Sequence, residues 1–196
     1  TMPHELVNTS VNNFTFQRVT WDARAVGDDE TNTHPSFVGN KITQSFFHNN
    51  RLGFLSADTV SMSQSAKFFN FYHTSAQTIT DSDPIDLSAS TVKPVALHSV
   101  LPSTQGLVLF SANQQFLMGA ADGILTPAKT VIRTIANYEM DTIIDPVDTG
   151  TTINFISKTP SYTRVFAMVT RGENENPQVA DIGRVVNEWI PSSVDT

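Results

Sequence analysis

One short pattern, present three times, constrains the fold of this chain more than any other feature. It consists of two to four apolar residues, a serine, a short polar turn and a second apolar run. The serines are Ser56, Ser111 and Ser157, which lie 55 and 46 residues apart. Apolar runs on both sides of a short turn predict β-hairpins. A repeat near 40–50 residues is the period of β-propeller blades, but hairpins ending in serine also occur in ordinary antiparallel sandwiches.

The pattern places hairpins at residues 50–63, 105–118 and 151–169. Further strands are predicted at Phe14–Gln17, where the aromatic rings alternate, and at Thr130–Ile135, which is rich in β-branched residues. The fold class is therefore all-β, with antiparallel hairpins resembling β-propeller blades and at most one or two short helices. The hydrophobic fraction is 39%, so we expect a thin core, as in β-structures with one solvated face.

Two segments carry mixed signals. Thr91–Leu97 is apolar and β-branched, but Pro94 restricts part of it to a strand edge or strand start. In Val179–Trp189 the apolar residues recur at steps of three and four, so this segment is predicted to be helical. Asp181 is the expected cap and Pro191 the expected stop.

The composition changes near residue 49, which predicts two parts. Residues 1–48 are read as a lead-in strand and an extended arm, and residues 49–196 as a β-rich, propeller-like segment of a larger protein. Within the arm, residues 22–36 are almost entirely polar or turn-forming. We therefore expect them to lack regular structure and to lie in solvent.

Charge and composition exclude several classes of function. The net charge is −7, and phosphate-backbone binding needs clustered Lys and Arg that this chain does not show. An acidic surface could line a passage through which DNA slides, but ordinary solubility is the favoured explanation of a modest negative charge. There are no cysteines, so thiolate chemistry and disulfides are excluded. No apolar run approaches the roughly 18 residues of a membrane helix, and we expect no signal peptide.

The sequence shows no pattern typical of a catalytic or cofactor site. The five histidines have no i, i+4 pairing and no HExxH, and no nucleophile elbow or phosphate-binding glycine loop is present. We therefore expect no catalytic, cofactor-binding or metal-binding residues. The histidines are His4, His34, His48, His73 and His98.

One acidic cluster offers a choice between an ion site and a turn. Asp81, Asp83 and Asp86 could supply oxygen ligands to Ca²⁺, although the EF-hand spacing is absent. Asp83-Pro84 also initiates turns, and Asp side chains bond nearby amides, so the turn interpretation is favoured. The sequence does not decide the question. Asp141, Asp145 and Asp148 are interpreted as turn residues in the same way.

An ordered series of short matches over nearly the whole chain resembles the tail tubular protein B family, the tail nozzle proteins of short-tailed phages. No single motif in it is decisive. The series runs through Met2-Pro3-His4, Trp21, Arg24, Gly27-Asp28, Pro35–Gly39, Asn50–Ser56, Val60–Ser63, Phe68–Phe71, Asp83–Asp86, Leu109–Ser111, Gln115-Phe116, Leu125–Pro127 and Ala180–Ile182.

The resemblance implies an internal segment of a longer virion protein in the phage tail. Such a protein would have a propeller-like central domain, and six copies would surround the DNA-ejection channel. The implied partners are other copies of itself, the tail adaptor protein, the tail fibres and DNA that passes without sequence-specific binding. A closed propeller of four or more blades needs more chain than three hairpin units supply. The family brings no catalytic motif.

Two other functions remain open. Phage tails carry polysaccharide depolymerases, and glycoside hydrolysis needs two carboxylates at a fixed separation, for which Glu139 and Asp141 could be proposed. A receptor-binding or fibre-binding module would share the expected fold and differ in the surface used. Several turn acids could face either a channel or bulk solvent: Asp58, Asp81, Asp83, Asp122, Glu173 and Glu175.

Overall fold

The chain folds as an all-β protein, as the sequence predicts. The computed structural model describes residues 4–89, 91, 94–169, 177–185 and 189–192, and these form antiparallel strands with no α-helix. The strands are β1 (His4–Ser10), β2 (Asn13–Arg18), β3 (Ile42–His48), β4 (Arg51–Ser56), β5 (Thr59–Met62), β6 (Ile85–Ser88), β7 (Leu97–Ser103), β8 (Gly106–Ser111), β9 (Gln115–Gly119), β10 (Val131–Ala136), β11 (Val147–Asp148), β12 (Ile153–Lys158), β13 (Thr163–Val169) and β14 (Gln178–Asp181).

These strands form one separate hairpin, β1–β2, and three four-stranded sheets. The first sheet contains β3 to β6, the second β7 to β10 and the third β11 to β14, and in each the spatial order follows the chain order. The three hairpins expected from the repeat are β4–β5, β8–β9 and β12–β13, so that prediction is confirmed. The recurring serines are buried near the end of the first strand of each hairpin.

The central strands β8 and β9 of the second sheet are buried on both faces. Along β8, Leu107 and Leu109 belong to the core shared with the first sheet, whereas Val108 and Phe110 belong to the core shared with the third. This alternation follows from the period of two residues in a strand. A strand covered on both faces reads as a continuous apolar run. The expectation of one solvated face is therefore wrong for β8 and β9.

The residues that precede the first sheet cover its opposite face. Trp21 and Phe37 pack there against Phe54 and Phe71, with ring centroids 5.1 to 6.2 Å apart. Residues 22–36 contain no strand or helix, as predicted. They do not simply lie in solvent, however, because the side chain of Asn32 is almost completely buried.

The helix predicted at Val179–Trp189 is wrong in the residues that the structure describes. Val179 lies in β14 and pairs with Met168 of β13. Residues 182–185 form a turn, in which Asp181 Oδ1 accepts a hydrogen bond from the Gly183 amide at 3.0 Å. Val186 lies outside the described residues. The open edge of β13 offers backbone partners to a β-branched segment, and this tertiary contact outweighs the local helical spacing.

Two further expectations concern where strands begin and how the chain divides into parts. In the Thr91–Leu97 segment, residues 94–96 are irregular, β7 begins at Leu97, and residues 92–93 lie outside the described part. β3 pairs with β4, so the first sheet takes strands from both sides of residue 48. The division into residues 1–48 and 49–196 remains a prediction.

Within the described part of the chain, no helix has the length and apolar character needed to cross a membrane.

Candidate functional site

The most constrained polar centre surrounds the guanidinium of Arg51 at the start of β4. Its Nη1 donates to the carbonyl oxygens of Ser63 and Asp83, each at 2.7 Å, and its Nη2 donates to the carbonyl of Asp81 at 2.8 Å. Arg51 is 3% exposed. One charged side chain therefore ties β4 to the end of β5 and to the loop before β6.

The buried carboxylate of Asp83 completes this centre. It accepts hydrogen bonds from the Thr80 amide at 2.8 Å and from the Thr74 hydroxyl at 2.9 Å. Burial alone would raise the pKa of Asp83, but the donors on Thr80 and Thr74 outweigh it and hold that pKa below its usual range. Burial also lowers the pKa of Arg51, and the negative charge of Asp83 opposes that shift.

The three acids considered for an ion site are separated by their partners. The Asp86 carboxylate accepts from the amide and hydroxyl of Ser36 at 2.8 and 2.9 Å and from the Ser61 hydroxyl at 2.9 Å. Asp81 is exposed and contributes its backbone carbonyl to Arg51. Among the described residues, no group of three His, Cys, Asp or Glu side chains has the arrangement of a metal site. Asp83 and Asp86 instead bind amides and hydroxyls of the chain.

The later acids also bond to the chain. Asp141 forms an ion pair with Lys158 at 2.9 Å and accepts from the Ile143 amide. Burial would raise the pKa of Asp141, but these two partners lower it below its usual range. Asp148 accepts from the Gly150 amide at 2.7 Å, and Asp145 accepts from the Ser99 hydroxyl of the second sheet.

The two carboxylates proposed for glycoside hydrolysis differ in their surroundings. Asp141 is held by Lys158 and is largely buried, whereas Glu139 is exposed. The arrangement gives Asp141 a structural partner rather than a free position beside a substrate. Of the other turn acids, Asp122 pairs with Lys129 at 2.6 Å, and residues 173 and 175 lie outside the described part.

The lead-in loop is pinned to the loop before β6 by the Asn32 side chain. Asn32 Nδ2 donates to the carbonyls of Val26 and His73, and Asn32 Oδ1 accepts from the His73 amide. Nearby, Arg24 bonds to Asp29 at 2.6 Å. These contacts fix a segment that has no backbone ladder of its own.

The histidines take different positions and do not form a common site. His73 Nδ1 is 3.9 Å from the buried Asp83 carboxylate, too far for a hydrogen bond, and His34 Nδ1 is 2.7 Å from the Tyr72 hydroxyl. Burial lowers the pKa of His48 at the end of β3. His4 stacks on Phe16 in the separate hairpin.

Clefts in the lead-in region are lined by aromatic side chains. One of about 820 Å³ lies between the base of the β1–β2 hairpin and the first sheet. It has polar walls as well as apolar ones. Its lining includes His4, Glu5, Trp21, Ile42, Leu52 and Phe69.

Comparisons with known proteins give one consistent result. The sequence profile of a family described as "Bacteriophage nozzle protein" matches residues 1–196. The chain is 35% identical over 197 residues to "Tail tubular protein gp12" of Escherichia phage T7, covering 99% of this chain and 24% of that relative. The chain thus spans about a quarter of the length of the curated relative that it matches.

Proposed function

Because the chain belongs to the bacteriophage nozzle protein family, whose members are structural components of the phage tail, we propose that it forms part of a ring around the DNA-ejection channel. Its location is the tail of the virion. The match over residues 1–196 carries this proposal. Ring, channel and partners belong to the whole protein, of which this chain corresponds to a part.

The packing of the three sheets supports a larger propeller-like domain. Each sheet is a four-stranded antiparallel meander, and successive sheets share apolar cores face to face. On the far face of the third sheet, Asn154, Ile156, Val165 and Ala167 are only half buried. In this proposal another sheet of the longer protein packs there and continues towards a closed propeller.

The charges of the chain support passage of DNA without adhesion. The chain has 19 acidic and 12 basic residues. Carboxylates pair with Arg24, Lys129 and Lys158, and the Arg51 guanidinium donates its hydrogen bonds to backbone carbonyls. None of these four side chains therefore offers a free cation to phosphate. Each phosphate contact by Lys or Arg would add salt-dependent affinity.

A mobility-shift titration of the 196-residue chain with duplex DNA tests this part of the proposal. We expect no shift near physiological salt. A micromolar or tighter complex whose affinity falls with added salt would instead indicate a DNA-gripping role.

For the whole protein we propose a hexameric ring that contacts the tail adaptor protein and supports the tail fibres. Cyclic symmetry would place the same face of every copy on the channel. Electron microscopy of the complete protein, alone and with adaptor, tests this directly. A stable monomer that fails to bind the adaptor ring would contradict the proposal.

We further propose that the segment has no catalytic activity of its own. The family of structural tail proteins and the engagement of Asp141 by Lys158 support this. The competing depolymerase function predicts new reducing ends when the chain is incubated with capsular polysaccharide, and a receptor-binding module predicts binding without cleavage. We expect no increase in reducing ends over a heat-denatured control.

A further inference from the structure

The separate β1–β2 hairpin presents an apolar face to solvent. Leu6 lies opposite Phe16 in the register, and Asn8 lies opposite Phe14, so these side chains share one face. Leu6 is 64% exposed, Phe14 60% and Phe16 71%. Single exposed apolar residues are common, but a contiguous group on one face marks an interaction surface.

This hairpin also lacks the support that two-stranded hairpins need. Among the described residues, β1 pairs only with β2, and every residue of β2 is exposed. An isolated two-stranded hairpin is marginally stable in water, and a third strand or a packing partner is usually required. The unpaired strand edges likewise favour the addition of another chain segment.

The apolar face continues towards the body of the protein. His4 stacks on Phe16 with ring centroids 4.9 Å apart and planes inclined by 10°. His4 also lines the cleft of about 820 Å³, together with Trp21 and Leu52. A segment lying along the hairpin face would therefore reach this cleft at the base of the hairpin.

The size of the face indicates what kind of partner covers it. A buried Phe or similar side chain contributes about 150–250 Å². At the exposures of Leu6, Phe14 and Phe16, the hairpin face therefore offers roughly 400 Å², about half of the approximately 800 Å² that each partner of a stable complex buries. A free second copy would bind such a face weakly. A segment tethered in the same polypeptide gains a high effective concentration and needs less area.

We propose that the face formed by Leu6, Phe14 and Phe16 docks an extended apolar segment of the same polypeptide, from outside residues 1–196. This inference rests on the proposed function, because it requires the chain to be part of a longer nozzle protein. The matched relative, of which this chain covers 24%, has ample further length for such a segment. The docked segment converts a marginal hairpin into a stable part of the fold.

Amide hydrogen exchange on the full-length protein tests the proposal, measured at a concentration where it is monomeric. We expect residues 4–18 to be protected. A double substitution, Leu6→Ser with Phe16→Ser, should speed their exchange at least tenfold and leave the three sheets unchanged. Val185→Ser, at a 90% exposed position outside the hairpin, is the matched control and should have no effect. Phe14→Thr removes one ring, keeps a strand-forming residue and should give a smaller change of the same kind.

Three results would overturn the proposal. Fast exchange of residues 4–18 in the monomer would mean that nothing covers the face. Protection that appears only on ring assembly would assign the face to a second copy. Protection that survives both sets of substitutions would show that the apolar face is not the docking surface. The exchange measurement uses the monomer, so a negative result for the hairpin would not affect the proposed ring around the channel. Conversely, the exchange result can be interpreted even if the protein forms no ring.

Discussion

Replacing Arg51 by Met should destabilise the chain strongly. The substitution removes three hydrogen bonds from a charged donor and leaves the buried carbonyls of Ser63 and Asp83 without that partner. It also removes the positive charge that interacts electrostatically with the buried Asp83 carboxylate. An unsatisfied buried acceptor costs about 1–3 kcal/mol. Two buried carbonyls lose this donor, so we expect a total loss of about 4 kcal/mol.

Urea unfolding of the 196-residue chain, followed by circular dichroism, measures this loss. With a slope of roughly 2 kcal/mol per molar urea, the midpoint should fall by about 2 M. Lys129→Met is the matched control, because it removes a cation whose partner Asp122 is exposed, and its midpoint should barely move. Arg51→Lys keeps the charge but not the forked geometry, so its midpoint should fall between the two.

Equal midpoints for Arg51→Met and Lys129→Met would refute the reasoning. They would show that water or a local rearrangement satisfies the carbonyls once the guanidinium is removed. The same result would remove Arg51 as the link between β4 and the loop before β6.

Other substitutions test separate features of the fold. Gly53→Ala should lower the melting temperature, because an added Cβ would lie 2.2 Å from the Phe46 ring. Overpacking of this kind costs about 1–3 kcal/mol. An unchanged melting temperature would contradict the close packing of the Phe46 ring over Gly53. The pKa of Asp83 is lowered in the folded chain, so the stability that its carboxylate contributes is present above the pKa of the unfolded chain and is lost as pH falls through the lower folded pKa. When urea midpoints are measured from pH 6 to pH 2, Asp83→Asn should therefore show a smaller fall at acid pH than the unsubstituted chain. An equal fall in both proteins would exclude this role of Asp83. Asn32→Ala should speed exchange of the His73 amide, because that amide donates a hydrogen bond to Asn32 Oδ1 at 3.0 Å. Amides of the second sheet should stay protected. If the His73 amide exchanges equally fast in both proteins, other contacts hold the lead-in loop.

Local sequence patterns predicted the hairpins because each hairpin is a local structure. β8 and β9 need only an apolar run, a turn and a second apolar run, and all three lie within residues 106–119. The stacking of successive sheets could not be predicted as readily. Burial of β8 on both faces depends on residues from the neighbouring sheets, which single-strand periodicity does not report.

The polar centre shows where sequence reasoning ends. Arg51 reads as an ordinary charged residue at the start of a strand, and neither the predicted hairpin nor the resemblance gives it a role. Its partners are carbonyls of residues 12, 30 and 32 positions away, and backbone carbonyls carry no signal in a sequence. Asp83 did stand out, as part of an acidic cluster, and the hydroxyl-rich segment around it contains the Thr74 and Thr80 donors.

The predicted helix failed for a related reason. Val179 has helical spacing to its apolar neighbours, but β13 presents a free edge that pairs with it. The spacing of apolar residues reports the conformation that an isolated segment favours. In the folded chain, pairing with the neighbouring strand determines the conformation instead.

The cover over the first sheet also affects the order in which the protein can fold on the ribosome. Trp21 and Phe37 precede the first sheet in the chain, and Phe71 lies between β5 and β6. Every part of that aromatic cluster has therefore been synthesised by the time β6 emerges. The first sheet can bury its outer face during translation, before the second sheet is synthesised. Its other face is then available for the second sheet to pack against as it folds. Nascent chains arrested once residue 96 has left the ribosome should accordingly resist protease at residues 42–62, whereas chains arrested while residue 68 is still inside the ribosome should not.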